Sequence, residues 1–407
     1  VTLSRWTRSA ATPEEAWSRN LTVLLTAIFV EECGWALNAP FLPLYIGTLG
    51  LPDPIAAALW AGLMIAGSLA ISSLMTPVWA ALADRFGSKL ILLRALAALA
   101  ATNLALGLAG DVGQLLLVRL VSAFFIGLVP LSYALITSTA PPGKVAQSVA
   151  HLQTVTIVAA SLGPLIGGLM VDRLGTRPGY FYATAMCVGG FLLVLLVYHE
   201  PARPAGERVE QGEAGGFGAA FRGLFPFVVS LCLVQTIERT FQPLIPAYVA
   251  ELGGAATGGV GFWSGLTVSL AGVAMAIAAN LAARLSRFRP PAQLLLASLV
   301  AGALCCAPIG LVRTAWQLVV ARTLLSFAVG GVPTLLFTAG SAAGLGRGSI
   351  GRSSVLVMGQ QLGGAVGPLL GGVGARWMRG VFLVDALLYL AALPLVQRGM
   401  RPRARRP

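Results

Sequence analysis

The sequence has 407 residues, of which 57% are hydrophobic and 11% charged, with a mean hydropathy of +0.82, whereas a soluble domain carries about 25% charged residues. A bilayer core of roughly 30 Å takes about 20 helical residues, so this length predicts about a dozen spans with short loops and leaves no room for a sizeable soluble domain. The net charge of +13 comes from bases scattered between apolar runs, not gathered into one patch with aromatics, which predicts topology signals and no nucleic-acid partner.

In chain order, the first twenty residues are polar, with Arg5, Arg8, Glu14, Glu15 and Arg19, and show no cleavable signal pattern. Apolar runs bounded by charge, Gly and Pro then predict spans near 21–46, 57–82, 90–109, 114–138, 147–170 and 179–198. The stretch 199–222, with Arg203, Glu207, Arg208, Glu210, Glu213 and several Gly and Pro, reads as a flexible cytoplasmic linker. Six more spans follow near 223–250, 258–283, 293–312, 316–340, 352–374 and 380–397. The expected architecture is an all-α membrane protein of twelve transmembrane helices in two pseudo-symmetric six-helix bundles: residues 1–198, the linker 199–222, and residues 223–407 with a basic tail.

Lys and Arg concentrate on one side: Arg85, Lys89, Arg94, Lys144, Arg203, Arg208, Arg222, Arg284, Arg287, Arg289, Arg347, Arg352 and both tails, against Arg173, Arg177, Arg313, Arg376 and Arg379 on the other. This bias predicts a multi-pass inner (plasma) membrane protein with both termini cytoplasmic. The tail bases Arg398, Arg401, Arg403, Arg405 and Arg406 then read as a retention signal or a contact with anionic membrane lipids.

The halves are copies. At a shift of 203 residues Pro40, Pro43 and Tyr45 fall on Pro243, Pro246 and Tyr248, Trp60 and Gly62 on Trp263 and Gly265, and Arg119, Gly127 and Pro130 on Arg322, Gly330 and Pro333. After one extra residue, GPLIGG at 163–168 falls on GPLLGG at 367–372. Chance similarity between apolar helices yields shared Leu and Ala, not Trp, Arg and paired Pro at a constant offset. A duplicated bundle usually binds substrate between its copies, near the bilayer midplane.

An ionisable side chain deep in a span costs at least about 2.5 kcal/mol on insertion scales, so each is a functional candidate. They are Glu31, Glu32, Arg119, Glu238, Arg239, Arg322 and Asp385. Arg119, Arg322 and Asp385 lie toward the outer ends of their spans, where snorkelling to water is the structural alternative. Gln235, Glu238 and Gln242 share one stripe of the seventh span, which carried back by 203 residues becomes Glu32, Trp35 and Ala39; Glu31, Trp35 and Asn38 form a neighbouring stripe. A desolvated carboxyl group favours its neutral form and can exchange a proton when a cavity opens. Glu31, Glu32, Arg119 and Glu238 are therefore the proton-coupling candidates, and Trp35, Asn38, Gln235, Glu238, Gln242, Gln360 and Gln361 the substrate-cavity candidates. The structural alternative is an ion pair of Glu31 or Glu32 with Arg119 or Arg239.

Gly163, Gly167 and Gly168 around Pro164 permit close helix approach and a bend, which pure packing also explains. In the loop after the second span, LADRFGSK sets Asp84 and Arg85 before a turn glycine, Gly87, with Lys89 after it. No G-x-x-x-x-G-K-[ST] phosphate cradle is present, His151 and His199 are isolated, and Cys33, Cys187, Cys232, Cys305 and Cys306 read as small core residues, so neither ATP hydrolysis, a metal nor a cofactor is expected.

These residues resemble the major facilitator superfamily, and within it the twelve-span drug:proton antiporter branch, from about Leu21 to Val396. LADRFGSK is similar to the family's loop signature, with Ala80 replacing the usual first Gly and Ser88 a usual base. Arg119 matches the fourth-span arginine, GPLIGG the fifth-span antiporter signature with Ala159 for its leading Gly, and NAPFLPLY the first-span signature. The resemblance implies that Asp84 and Arg85 help clamp a cytoplasmic gate, that Arg119 takes part in proton coupling, and that the fifth-span motif favours export. The expected function is proton-coupled export of small lipophilic or cationic compounds by alternating access, by a monomer driven by the proton gradient and without enzymatic activity. The alternatives are a carrier for a native metabolite or lipid-like molecule and a non-transporting receptor or scaffold.

Overall fold

The structure, a computed structural model, describes residues 13–125, 132, 135–136, 140–141, 144–200, 217–342 and 349–400. The linker core 201–216, Pro130, Arg347 and the tail 401–407 lie outside the described residues. Among the described residues there are helices and turns and no strand. In lipid every backbone N–H and C=O must be bonded within the segment, which a helix achieves alone. The first half holds α1 (Pro13–Asn38), a 3-10 turn (Ala39–Phe41), α2 (Leu42–Thr48), α3 (Pro54–Phe86), α4 (Ser88–Leu108), α5 (Val112–Ala123), α6 (Val145–Leu174) and α7 (Pro178–Val197). The second holds α8 (Phe217–Glu251), α9 (Val260–Leu285), α10 (Pro291–Cys306), a 3-10 turn (Ala307–Leu311), α11 (Ala315–Val329), α12 (Val332–Ala342), α13 (Ser349–Gly374), a 3-10 turn (Ala375–Trp377) and α14 (Met378–Met400).

Ten helical stretches among the described residues are long and apolar enough to cross a bilayer. One of them, Met358–Arg398, runs through both α13 and α14, and the shorter apolar α5 stops just before undescribed residues, so twelve spans are accounted for. Large side chains such as Leu74, Leu117, Leu196, Leu304 and Leu387 stand more than half exposed on these helices. Such surface suits lipid, not water.

The helices form two compact units: residues 1–52 with 67–205, and residues 53–66 with 206–407. In the first, α1 packs on α6 and α7, and α4 on α7; in the second, α8 packs on α13 and α14, α9 on α11, and α10 on α14. The second unit takes in the start of α3, where a side chain at Gly62 would meet the Pro368 carbonyl and one at Gly372 would meet Leu59.

The internal repeat survives as atomic detail. Tyr45 donates its hydroxyl hydrogen to the Leu106 carbonyl at 2.6 Å, and Tyr248, 203 residues on, donates to Ile309 at 2.7 Å. Gln114 accepts from the Gly110 N–H and Gln317 from the Arg313 N–H, both at 2.9 Å. A Cβ at Gly167 would strike the Leu37 carbonyl of α1; one at Gly371 would strike the Thr240 carbonyl of α8. In the second unit this contact lengthens into a seam: Gly359, Gly363, Gly367 and Gly371 along α13 face the carbonyls of Val228, Cys232, Thr236 and Thr240 along α8. Both rows advance by four residues, so two backbones touch where any side chain would hold them apart. The copies differ at the paired prolines, since Pro40 lies in the 3-10 turn that divides α1 from α2 and Pro43 in the first turn of α2, while Pro243 and Pro246 sit inside a continuous α8.

Candidate functional site

The LADRFGSK loop is built around a backbone need. Gly87 has φ +92°, a conformation that costs other residues, and it separates α3 from α4. The Glu200 carboxylate accepts from the Ser88 N–H at 2.8 Å, the Ser88 hydroxyl at 2.8 Å and the Lys89 N–H at 2.7 Å, so an anion caps the positive end of α4. Lys89 Nζ donates to the Leu195 carbonyl at 2.9 Å in the last turn of α7. One predicted gate residue, Lys89, thus joins the ends of α4 and α7 together with Ser88, with Glu200 as a partner that sequence reasoning missed. The side chains of Asp84 and Arg85 lie outside the described residues. His199 ties the end of α7 to α1: Arg19 Nη2 reaches its Nδ1 at 3.1 Å, Asn20 Nδ2 donates to its carbonyl at 2.6 Å, and its N–H donates to Asn20 Oδ1 at 3.1 Å.

In the middle of α1, Glu31 is buried at 9% exposure and its Oε2 has no hydrogen-bond partner among the described residues, while Glu32 beside it is half-buried. Among the described residues, no ion pair of Glu31 with Arg119 forms. Arg119 of α5 likewise has its Nε buried without a partner. Trp35 is 38% exposed. Asn38 donates to the carbonyls of Gly34, at 3.1 Å, and Gly179, at 3.2 Å, so it ties α1 to α7. Gly163 and Gly167 bring α6 against Ala36 and Leu37 of α1, Pro164 sits within an unbroken α6, and Gly168 is buried.

In α8, Gln235 and Gln242 are half-buried, with Gln242 Oε1 unpartnered among the described residues; Gln360 is half-buried and Gln361 exposed in α13. Glu238 is held differently from Glu31. Arg322 of α11 forks onto it, with Nη2 2.7 Å from Oε2 and Nη1 3.4 Å from Oε1, and both side chains are at most 10% exposed. Tyr389 of α14 donates to Glu238 Oε1 at 3.4 Å, and the guanidinium lies 4.1 Å over the Phe241 ring. The snorkelling alternative does not hold for Arg322 or for Asp385, which is 2% exposed. Arg322 turns inward because Glu238 of a neighbouring helix offers a partner, and a snorkelling estimate made from depth along one helix cannot include that partner.

The sequence profile described as Major Facilitator Superfamily matches residues 24–349. The chain belongs to the major facilitator superfamily. It is therefore a multi-pass membrane transporter of small molecules and not an enzyme. The chain is 33% identical over 383 residues to "Multidrug resistance protein MdtG" of Enterobacter lignolyticus, covering 92% of this chain and 90% of that one. It is also 33% identical over 378 residues to the protein of that name from Citrobacter koseri, covering 91% and 92%. Among solved structures, a bacterial homologue of the human lysosomal transporter Spinster superposes with a TM-score of 0.75 at 17% identity, covering 96% of this chain and 97% of that one. The nucleoside transporter NupG superposes with a TM-score of 0.75 at 15% identity, covering 94% and 100%. At these identities the two structures speak to the fold alone, and the fold is the twelve-span one that the duplicated sequence predicts.

Proposed function

We propose that this transporter exports small lipophilic or cationic compounds in exchange for protons, by alternating access, from a cell inner membrane in which both termini face the cytoplasm. It works as a monomer among membrane lipids and uses the proton gradient in place of a cofactor. The observation that carries this reading is Glu31: a carboxyl group in the middle of the first span, buried, beside a second glutamate, with Oε2 unpartnered. An uncompensated charge in such surroundings is costly. A proton removes the charge, and so does a cationic substrate. Similarity to multidrug resistance proteins over nine-tenths of the chain supports export of diverse compounds. Arg119 and Glu238 complete the proton-coupling set, and Trp35, Gln235, Gln242, Gln360 and Gln361 supply polar and aromatic contacts for substrate. Gly87 and Lys89, with Asp84 and Arg85, form the cytoplasmic gate.

The test is substrate-induced proton release from purified protein in weakly buffered detergent. Tetraphenylphosphonium, a lipophilic monovalent cation, should release protons from the native chain, and Glu31→Gln or Glu32→Gln should reduce the release, since a permanently neutral side chain cannot alternate between protonation states. Full release from the double variant contradicts the assignment of the first span.

A further inference from the structure

The second unit holds a group of ionisable side chains that the reading above leaves mostly unused. Glu238 from α8, Arg322 from α11, Cys306 from α10, and Asp385 and Tyr389 from α14 lie within electrostatic reach of one another. Asp385 and Tyr389 are one turn apart on the same face of α14. The Cys306 thiol donates to the Phe382 carbonyl at 3.4 Å and so does not compete for the carboxylates. Asp385 is 2% exposed and its Oδ2 has no hydrogen-bond partner among the described residues.

Two carboxyl groups thus share one guanidinium. With Glu238 bonded to Arg322, an ionised Asp385 leaves one uncompensated negative charge in an apolar interior, which a helix bundle in lipid disfavours. Two neutral arrangements differ by the exchange of one proton for one cation. In one, Asp385 carries a proton and Arg322 holds Glu238. In the other, Arg322 holds an ionised Asp385 and a cation from outside the cluster sits on Glu238. The Phe241 ring beneath the guanidinium gives Arg322 a flat surface that attracts it without fixing its direction. The Tyr389 hydroxyl, already 3.4 Å from Glu238 Oε1, stays to orient that carboxylate when Arg322 leaves.

We propose that Asp385 is a proton-exchange site that competes with Glu238 for Arg322, and that its deprotonation frees Glu238 to hold a small organic cation. The O–H bond of the Asp385 carboxyl breaks, its electron pair stays on the carboxylate, and the proton passes to water. The arriving cation restores the neutrality of the cluster, so one proton is exchanged for one positive charge. This rests on the proton-coupled reading and narrows its substrate class to cations.

The experiment uses the full-length purified protein with tetraphenylphosphonium, measuring protons released per cation bound and affinity from pH 6 to pH 9. One-for-one exchange strengthens apparent affinity by up to about tenfold per pH unit. Asp385→Asn should lower the release by about one proton per cation, weaken cation binding because Arg322 stays on Glu238, and flatten the pH dependence. Asp385→Glu should keep the release but move its pH profile, and it serves if the Asn variant does not fold. Full release and an unchanged profile in Asp385→Asn, or an unmoved profile in Asp385→Glu, overturns this site while leaving Glu31 and Glu32 in place. No release from the native protein overturns proton coupling itself, and this site with it.

Discussion

Replacing Gly363 by Val is expected to abolish recovery of folded protein, or to leave a protein that melts far below the native one. A Cβ at this position would meet the carbonyl oxygen of Cys232, with its carbon and the Gln235 Cβ close behind. The carbonyl belongs to the helical backbone of α8 and cannot turn away as the end of a flexible side chain would. The two helices must separate, and separation at one point opens the contacts of Gly359, Gly367 and Gly371 as well. Overpacking a core typically costs about 1–3 kcal/mol, occasionally more, and a rigid seam of four backbone contacts belongs at the upper end. Gly189→Ala is the control, because an added Cβ there meets nothing within 4 Å. Helix propensity favours Ala over Gly by about 1 kcal/mol, so that variant should be neutral or slightly stabilised. The comparison is thermal stability in detergent, read beside expression yield. Equal stability of Gly363→Val and the native chain would mean that the α8–α13 seam is not close-packed.

Arg322→Met is expected to destabilise the second unit by about 3–5 kcal/mol, the usual cost of stripping one partner from a buried ion pair. The loss arises chiefly from Glu238, which keeps its place and its desolvation but loses both guanidinium contacts, leaving only the long hydrogen bond from Tyr389. Adding Glu238→Gln to Arg322→Met should recover most of the stability, since the remaining amide carries no charge. Arg379 and Glu251, bonded at 3.0 Å, offer a contrast: their side chains are 60% and 43% exposed. An exposed pair is worth at most about 1 kcal/mol, so Arg379→Met should change the melting temperature little. If the double variant is as unstable as Arg322→Met alone, the cost lies in lost packing against Phe241 and not in an orphaned charge.

The parts of this fold that are legible in the sequence are those carried by composition and repetition. Apolar runs give the spans, and Tyr45 with Tyr248, or Gly167 with Gly371, show that a constant offset in sequence becomes the same contact twice in space. Helix rotation is less legible. A helix that meets lipid on one side and protein on the other is apolar on both, so periodicity does not mark which face turns inward. This is why Asp385 and Arg322 read as outer-end residues yet lie buried together, and why Asn38, placed on a cavity stripe, is spent on joining α1 to α7. Two signals pointed toward the missed cluster: Arg322 falls on Arg119 at the repeat offset, and Asp385 and Tyr389 stand four residues apart in an otherwise apolar run. Glu200 gave no comparable signal, because its bond to α4 joins positions more than a hundred residues apart.

Proton coupling is tested most directly by flux. In proteoliposomes with an acidic lumen and the membrane potential clamped at zero by potassium and valinomycin, tetraphenylphosphonium should accumulate inside against its concentration gradient, and collapse of the pH gradient should release it. Glu31→Gln combined with Glu32→Gln should lower that accumulation well below the native level. Accumulation by the native protein that is the same with and without the pH gradient would contradict proton-coupled transport.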